Sequence, residues 1–160
     1  ELPDSVFTEG VQACTVPAAR RLTPRIKKLE WMTERTRFTR PQFFEHLLLD
    51  EAGRILEGFT SNFFAFQEKH LWTAQDEMLL GVTRSVLMEL AQEQHFLITE
   101  QPFLRSDIEN LSEAALSSSS RGLVPIVGID GLPIGNGKPG PAVQELRAAY
   151  QKKVDQAEEI

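Results

Sequence analysis

The stretch Leu47-Leu48-Leu49-Asp50-Glu51-Ala52-Gly53-Arg54-Ile55-Leu56-Glu57-Gly58-Phe59-Thr60-Ser61-Asn62 decides how the chain folds. Residues 43–50 are apolar enough for a buried strand, Asp50-Glu51-Ala52-Gly53 has the composition of a tight turn, and Ile55 resumes an extended run. Together they predict a β-hairpin. A second hairpin is expected immediately afterwards, because Asn62 to Phe66 and His70 to Thr73 flank the polar Gln67-Glu68-Lys69. Glu57 then falls between two strands, in a Gly/Ser/Thr-rich turn region, where an inward side chain is expected.

Outward from this centre, Val11 to Val16 alternates weakly and predicts a strand that ends at Pro17. Pro24 opens a segment, Ile26 to Arg37, whose Leu29, Trp31 and Met32 fit one face of a short helix, with Lys27 in its first turn. On the C-terminal side, Gly81-Val82-Thr83-Arg84 introduces Val86, Leu87, Leu90 and Ala91 at helical spacing, and Thr83 is the candidate N-cap. Leu97-Ile98 predicts a short strand, and Leu104 to Leu111 a short helix or turn. Ala114 to Leu116 and Val124 to Ile129 predict two core strands bracketing a serine-rich loop, Ser117 to Ser120. Asp130-Gly131 is a turn signal, and Gly135-Asn136-Gly137-Lys138-Pro139-Gly140 must be loop. Pro141 can then open a final helix with Val143, Leu146, Ala149, Tyr150 and Val154 on its apolar stripe. Strands with interspersed helices and no internal repeat give an α/β or α+β class.

At 160 residues and 41% hydrophobic, the chain is long enough for one domain with a substantial core. Its 17 basic residues are scattered against 23 acidic ones, which argues against a general nucleic-acid or anionic-membrane surface. The longest apolar stretches, such as Leu123 to Ile129, fall far short of the ~18–20 residues of a membrane helix. A single cysteine, Cys14, cannot form an internal disulfide, and a cytoplasmic protein is expected. No signal peptide precedes Glu1, and Glu1-Leu2-Pro3-Asp4-Ser5 reads as linker or mid-chain sequence, so a fragment of a longer chain is expected. Gly137-Lys138 lacks the earlier glycine of a phosphate loop, and His46, His70 and His95 are widely separated without metal-ligand spacing. No metal site is expected.

The chemistry sits in a lysine and a carboxylate. Lys27 and its neighbour Lys28 are candidate nucleophilic amines, and Glu57 lies thirty residues further on. Read in order, Ile26-Lys27, Leu47-Leu48-Leu49-Asp50 with Gly53, Glu57-Gly58 with Ser61-Asn62, Gly81-Val82-Thr83-Arg84, Val124-Pro125-Ile126 with Asp130-Gly131, and Ile134-Gly135 with Gly137-Lys138-Pro139-Gly140-Pro141 resemble one known family. It is the class IV (fold type IV) pyridoxal-phosphate-dependent aminotransferases, which include D-amino-acid and branched-chain aminotransferases and 4-amino-4-deoxychorismate lyase. The resemblance runs from about Arg20 to the C-terminus and points to the larger, C-terminal domain of that family. Each fragment alone is weak; six in register are specific.

The resemblance implies a mixed sheet or pseudo-barrel with flanking helices, formed by residues 1–160 as a single cofactor-binding domain, with the smaller N-terminal domain absent. It implies pyridoxal 5′-phosphate as cofactor and selects Lys27, after the apolar Ile26, as the residue that binds it covalently and moves the substrate proton. Glu57 would hold the ring nitrogen protonated. Val82 and Thr83, at a helix start, would face the phosphate, together with Ser61, Ser118 and Ser119. Arg121-Gly122 departs from the usual small or acidic pair and is the candidate contact for a substrate carboxylate. An amino acid and a 2-oxo acid are the implied substrates, and a homodimer the implied assembly. Two other readings stand beside the aminotransferase: the lyase of the same fold, and a non-catalytic binding or dimerisation remnant.

Overall fold

The computed structural model describes residues 2–17, 39–75 and 81–158. The segment expected to carry the helix at Ile26 to Arg37, Lys27 included, lies outside them. Within the described residues a short helix α1 (Ser5–Thr8) precedes strand β1 (Val11–Pro17). The two predicted hairpins follow as β2 (Glu45–Leu49) with β3 (Arg54–Gly58), and β4 (Asn62–Gln67) with β5 (His70–Trp72). Helix α2 (Val82–Glu93) leads to β6 (Leu97–Thr99), β7 (Phe103–Leu104) and a 3-10 turn at Arg105–Asn110. Strands β8 (Glu113–Ser118), β9 (Gly122–Ile129) and β10 (Leu132–Pro133) precede the final helix α3 (Pro141–Glu158). No helix among the described residues is long and apolar enough to cross a membrane.

Six of the described strands close into a barrel in the order β1-β2-β3-β4-β8-β9. The β9–β1 and β1–β2 neighbours are parallel and the other four pairings antiparallel. The remaining described strands extend the sheet outward, β5 and β6 beyond β4, β7 beyond β3, and β10 beside β9. This is the mixed α/β class read from the residues and the pseudo-barrel that the family resemblance implies.

Strand alternation sorts the apolar residues into two layers. Ala13, Leu47, Ile55, Phe63, Ala65, Leu116, Val124 and Ile126 belong to one core within the ring. Phe64, Phe66, Ala115 and Leu123, from the opposite face of the same strands, pack against Leu87, Leu90 and Ala91 of α2 and Val143 and Leu146 of α3. Cys14 is buried in β1 opposite His46, and burial pushes its thiol pKa up, so it is held as a protonated thiol at neutral pH.

Three local findings differ from the expectation. The N-cap of α2 is Gly81, and Thr83 lies inside the first turn with its hydroxyl 3.4 Å from the Tyr150 hydroxyl. Thr83 comes two positions too late to cap, because Val82 is already helical. The serine loop is shorter than its composition suggests: Ser117 and Ser118 remain in β8, paired with Leu123 and Gly122. Leu132-Pro133 adds a short strand after the Asp130-Gly131 turn, with Pro tolerated at the strand end.

Two carboxylates fix the frame. Glu113 of β8, 7% exposed, accepts hydrogen bonds from the Ala142 and Val143 amides (2.9 and 2.8 Å) and so caps α3 from outside the helix. Asp130 accepts from the Thr15 amide (2.7 Å), the Thr15 hydroxyl (2.6 Å) and Arg105 Nε and Nη2 (3.0 and 2.8 Å), tying β1 to the end of β9. Burial raises the Asp130 carboxyl, but the hydrogen bonds from Thr15 and Arg105 and the Arg105 charge outweigh it and hold the pKa below the ordinary carboxylate value.

Glu113→Ala leaves two buried amides without an acceptor, and a urea titration should show a loss of about 2–3 kcal/mol, with Glu113→Gln losing less because one amide keeps a partner. For Asp130, a folded pKa below the unfolded value of about 3.9 means that the stabilisation is complete above that pH and is lost as pH falls through the folded value. Asp130→Asn should therefore cost about 1–2 kcal/mol at pH 7 and show a smaller drop than the wild type between about pH 4 and pH 2, measured by urea unfolding across that range.

Candidate functional site

Glu57 reaches its position through an irregularity in β3. Leu49 pairs with Ile55 but Leu47 pairs with Gly58, so three steps along β3 oppose two along β2. One extra residue is accommodated as a bulge, which re-aims the following side chain. Strict alternation would put Glu57 on the Ile55 side, inside the ring. Instead Glu57 pairs with Asn62, and Asn62 with Ser117, giving a row of three polar residues across β3, β4 and β8. All three are buried, at 5%, 6% and 1% exposure. Asn62 alternates with Phe64 and Phe66, so this row faces the α2 layer.

The row lines a cavity of about 290 Å³ whose other walls are Gly58 to Ser61, Gly81 and Thr83 at the start of α2, and Ser118 to Ser120. Helix α2 is anchored there by Arg84, whose buried Nη2 donates to the Ala74 carbonyl (3.1 Å) and to the Glu100 carboxylate (2.9 Å). Gly81 can lie against Asn62 only because it lacks a side chain; a Cβ there would stand 2.6 Å from Asn62 Oδ1. Among the described residues no side chain caps α2, and its first turn holds no acidic residue. Ser117 Oγ is buried on this cavity and has no hydrogen-bond partner among the described residues.

A residue that sequence reasoning passed over organises the opposite wall. Glu45, 3% exposed, accepts from its neighbour's amide at His46 (3.0 Å), from the Thr60 amide (3.3 Å) and hydroxyl (2.7 Å), and from the Ser61 hydroxyl (2.8 Å). A Cβ at Gly58 would stand 2.8 Å from Glu45 Cγ, so the glycine of Glu57-Gly58 admits this carboxylate beneath the turn. The signal available in the sequence was a glutamate inside an apolar strand run, where an ionised group requires partners. His46, beside it, stacks on Phe59 (5.0 Å between centroids) and accepts the Arg40 amide on Nε2 (2.6 Å). Burial first, and then the Arg40 charge, hold its pKa below the usual value against the pull of Glu45, so the ring is neutral at pH 7.

Among the expected site residues, Glu57, Ser61, Thr83, Ser118 and Ser119 all line the one cavity. Val82 does not; the residue is 76% exposed, and its amide lies in the first turn, where a helix supplies no acceptor. Gly122 lines a neighbouring cavity of about 350 Å³, on the far side of Ser119 and Ser120, where Tyr150 lies 3.3 Å from the position of a Cβ. Arg121 borders that second cavity and turns back to Ser118, Thr60 and Glu45. Lys27 lies outside the described residues.

A buried carboxylate, an uncapped helix start and a cluster of hydroxyls in one cavity suit a ligand with a protonated ring nitrogen and a phosphate. A branched-chain-amino-acid aminotransferase-like protein from Arabidopsis thaliana is 33% identical over 110 residues, covering 68% of this chain and 20% of that protein. A D-alanine aminotransferase from Staphylococcus haemolyticus is 26% identical and covers 96% of this chain and 56% of its own length. Among solved structures, a branched-chain amino acid aminotransferase from T.th. with pyridoxamine 5′-phosphate superposes with a TM-score of 0.84 at 22% identity, over 95% of this chain and 53% of that one. A branched-chain amino acid aminotransferase from Escherichia coli gives 0.80 at 25% identity, over 94% and 53%. The chain thus spans little more than half the length of the relatives that it matches throughout. Residues 5–129 match the model of the amino-transferase class IV family, and the chain belongs to that family.

Proposed function

We propose that residues 1–160 are the cofactor-binding C-terminal domain of a pyridoxal-phosphate-dependent aminotransferase, which moves an amino group from an amino acid to a 2-oxo acid. The observation that carries the reading is the cavity itself, where a strand-borne carboxylate, the start of α2 and the β8–β9 serines share one wall system. Ser117 supports the fit, since a buried hydroxyl without a partner among the described residues is costly unless a ligand satisfies it.

Pyridoxal phosphate, when bound, supplies an aldehyde that condenses with amines and a ring that accepts the electrons released at a substrate α-carbon. Glu57 would hold a proton on the ring nitrogen, where burial strengthens the charge-assisted hydrogen bond. The amides of Val82 and Thr83 with the hydroxyls of Thr83, Ser117, Ser118 and Ser119 would bind the phosphate, and Ser61 would lie in the same wall. Lys27 is assigned the covalent and proton-transfer role from the family pattern alone: its amine would bind the cofactor aldehyde and, once released, would hold and move the proton of the substrate α-carbon.

Relatives named for D-alanine and for branched-chain amino acids support a branched-chain or D-amino acid as the amino donor. A preceding small domain, a homodimer and a cytoplasmic location complete the reading by analogy with the family.

Incubation with pyridoxal phosphate, reduction with borohydride and peptide mass analysis should give one adduct, on Lys27. Lys27→Ala should abolish it and lower amino-acid-dependent conversion of 2-oxoglutarate by about 10³-fold or more. Pyruvate release without an amino acceptor would instead identify the lyase chemistry. An unmodified Lys27, or adducts spread over surface lysines, would remove the central residue of the reading.

A further inference from the structure

The turn between β3 and β4 and the turn between β8 and β9 are some sixty residues apart in sequence, yet they face each other across the 290 Å³ cavity. Arg121 joins them. Its Nε donates to Ser118 Oγ (3.0 Å) on one side, and its Nη2 donates to the Thr60 carbonyl (3.3 Å) and the Thr60 hydroxyl (2.5 Å) on the other. The same Nη2 stands 3.7 Å from Glu45 Oε2, the oxygen that already accepts from Thr60 and Ser61. Phe44 underlies the guanidinium at 5.4 Å.

Two features separate this arrangement from a surface ion pair. The carboxylate side chain is 4% exposed and the guanidinium side chain 19%, so the pair is shielded from solvent. The guanidinium is also engaged through two different nitrogens, Nε at the end of β8 beside its own turn and Nη2 at the β3–β4 turn, which a planar fork can do and an ammonium cannot. Its charge is matched by Glu45, and its donors are directed to protein oxygens on the turns.

We propose that Arg121 and Glu45 form a positioning latch that fixes the separation of the two turns and thereby the width of the cofactor cavity. Arg121 is in this view a positioning residue, in place of the substrate-carboxylate contact that the sequence suggested. The proposal rests on the reading of the cavity as the cofactor site. Pre-set turns mean that a ligand does not have to order them on binding, so the latch acts on affinity through the cost of ordering.

Hydrogen–deuterium exchange on the cofactor-free chain, paired with a pyridoxal phosphate binding titration, tests both parts. Arg121→Met should raise exchange at residues 58–61 and 118–121 by about tenfold while leaving β5 and α3 unchanged, and should weaken cofactor binding by about tenfold. Arg121→Lys, which keeps the charge and loses the fork, should resemble Arg121→Met. Should Arg121→Met not fold, Thr60→Val removes the hydroxyl that accepts from Arg121 and donates to Glu45, leaves the Arg121 contact with the Thr60 carbonyl, and should move both readouts in the same direction by a smaller amount. Unchanged exchange at 58–61 overturns the latch. Faster exchange with cofactor affinity within about twofold of wild type overturns its positioning role. A wild-type chain that binds no pyridoxal phosphate overturns the reading of the cavity, while the exchange comparison still decides whether the latch exists.

Discussion

The barrel closes where β3 meets β4 through a single residue pair, Glu57 with Asn62, and the site depends on how that seam is held. Along this edge β4 pairs with β5 from Ala65 onward, and β3 begins beside β7, so the two strands share no long ladder with each other. The turn that joins them is short and inexpensive to close, but a short ladder supplies few bonds. Glu45 makes up the deficit from below, taking the Thr60 amide and the hydroxyls of Thr60 and Ser61. A carboxylate buried this deeply is tolerable because its oxygens are occupied, and for the same reason it cannot be removed without stranding the donors of the turn. The position of Glu57 is therefore set by three things acting together: the bulge that turns it, the glycine that follows it, and the carboxylate under that glycine.

The starts of the two long helices show opposite solutions to the same problem. Each leaves amides with no intrahelical acceptor. At α3 the protein supplies the anion itself, with Glu113 directed at Ala142 and Val143. At α2 the cap is a glycine with no side-chain bond among the described residues, the first turn is free of acidic residues, and the end opens on a cavity carrying the serines of the β8–β9 turn. Burying one helix start under a protein carboxylate while the other faces a hydroxyl-lined cavity is the asymmetry that the proposed phosphate site would need, because a carboxylate at α2 would compete with a bound phosphate for the same amides and repel it.

Much of this was legible in the sequence wherever the determinant is local. Both hairpins, α2, α3 and the breaker cluster at 135–140 follow from alternation, helical spacing and turn residues that act over a few positions. The parallel pairing of β1 with β2 and β9, which closes the ring, joins residues more than thirty and more than one hundred positions apart and leaves no short-range trace. The Glu57 bulge is equally silent, since an inserted residue changes register without changing composition. Thr83 was a plausible cap on residue type, but capping depends on where helical dihedrals begin, and they begin at Val82. Glu45 was visible as a charge in an apolar run, and its partners were not, because they come from the β3–β4 turn and from the β8–β9 turn.

The distribution of the site residues over the fold also bears on how one scaffold serves relatives with different substrates. Glu57, Asn62 and Ser117 sit on strands of a closed ring, where displacement of one side chain disturbs paired neighbours on both sides. Ser119 to Arg121 occupy a turn outside the ladder, where changes of residue are absorbed with little effect on the core. Groups that must meet an invariant ligand belong on the first kind of position, and groups that vary with substrate on the second. An arginine in that turn that reaches back to the seam at Thr60 and Glu45 makes an otherwise adaptable segment answer to the rigid one, so that substitutions near the β8–β9 turn act on the wall of the 290 Å³ cavity as well as on whatever the turn itself meets.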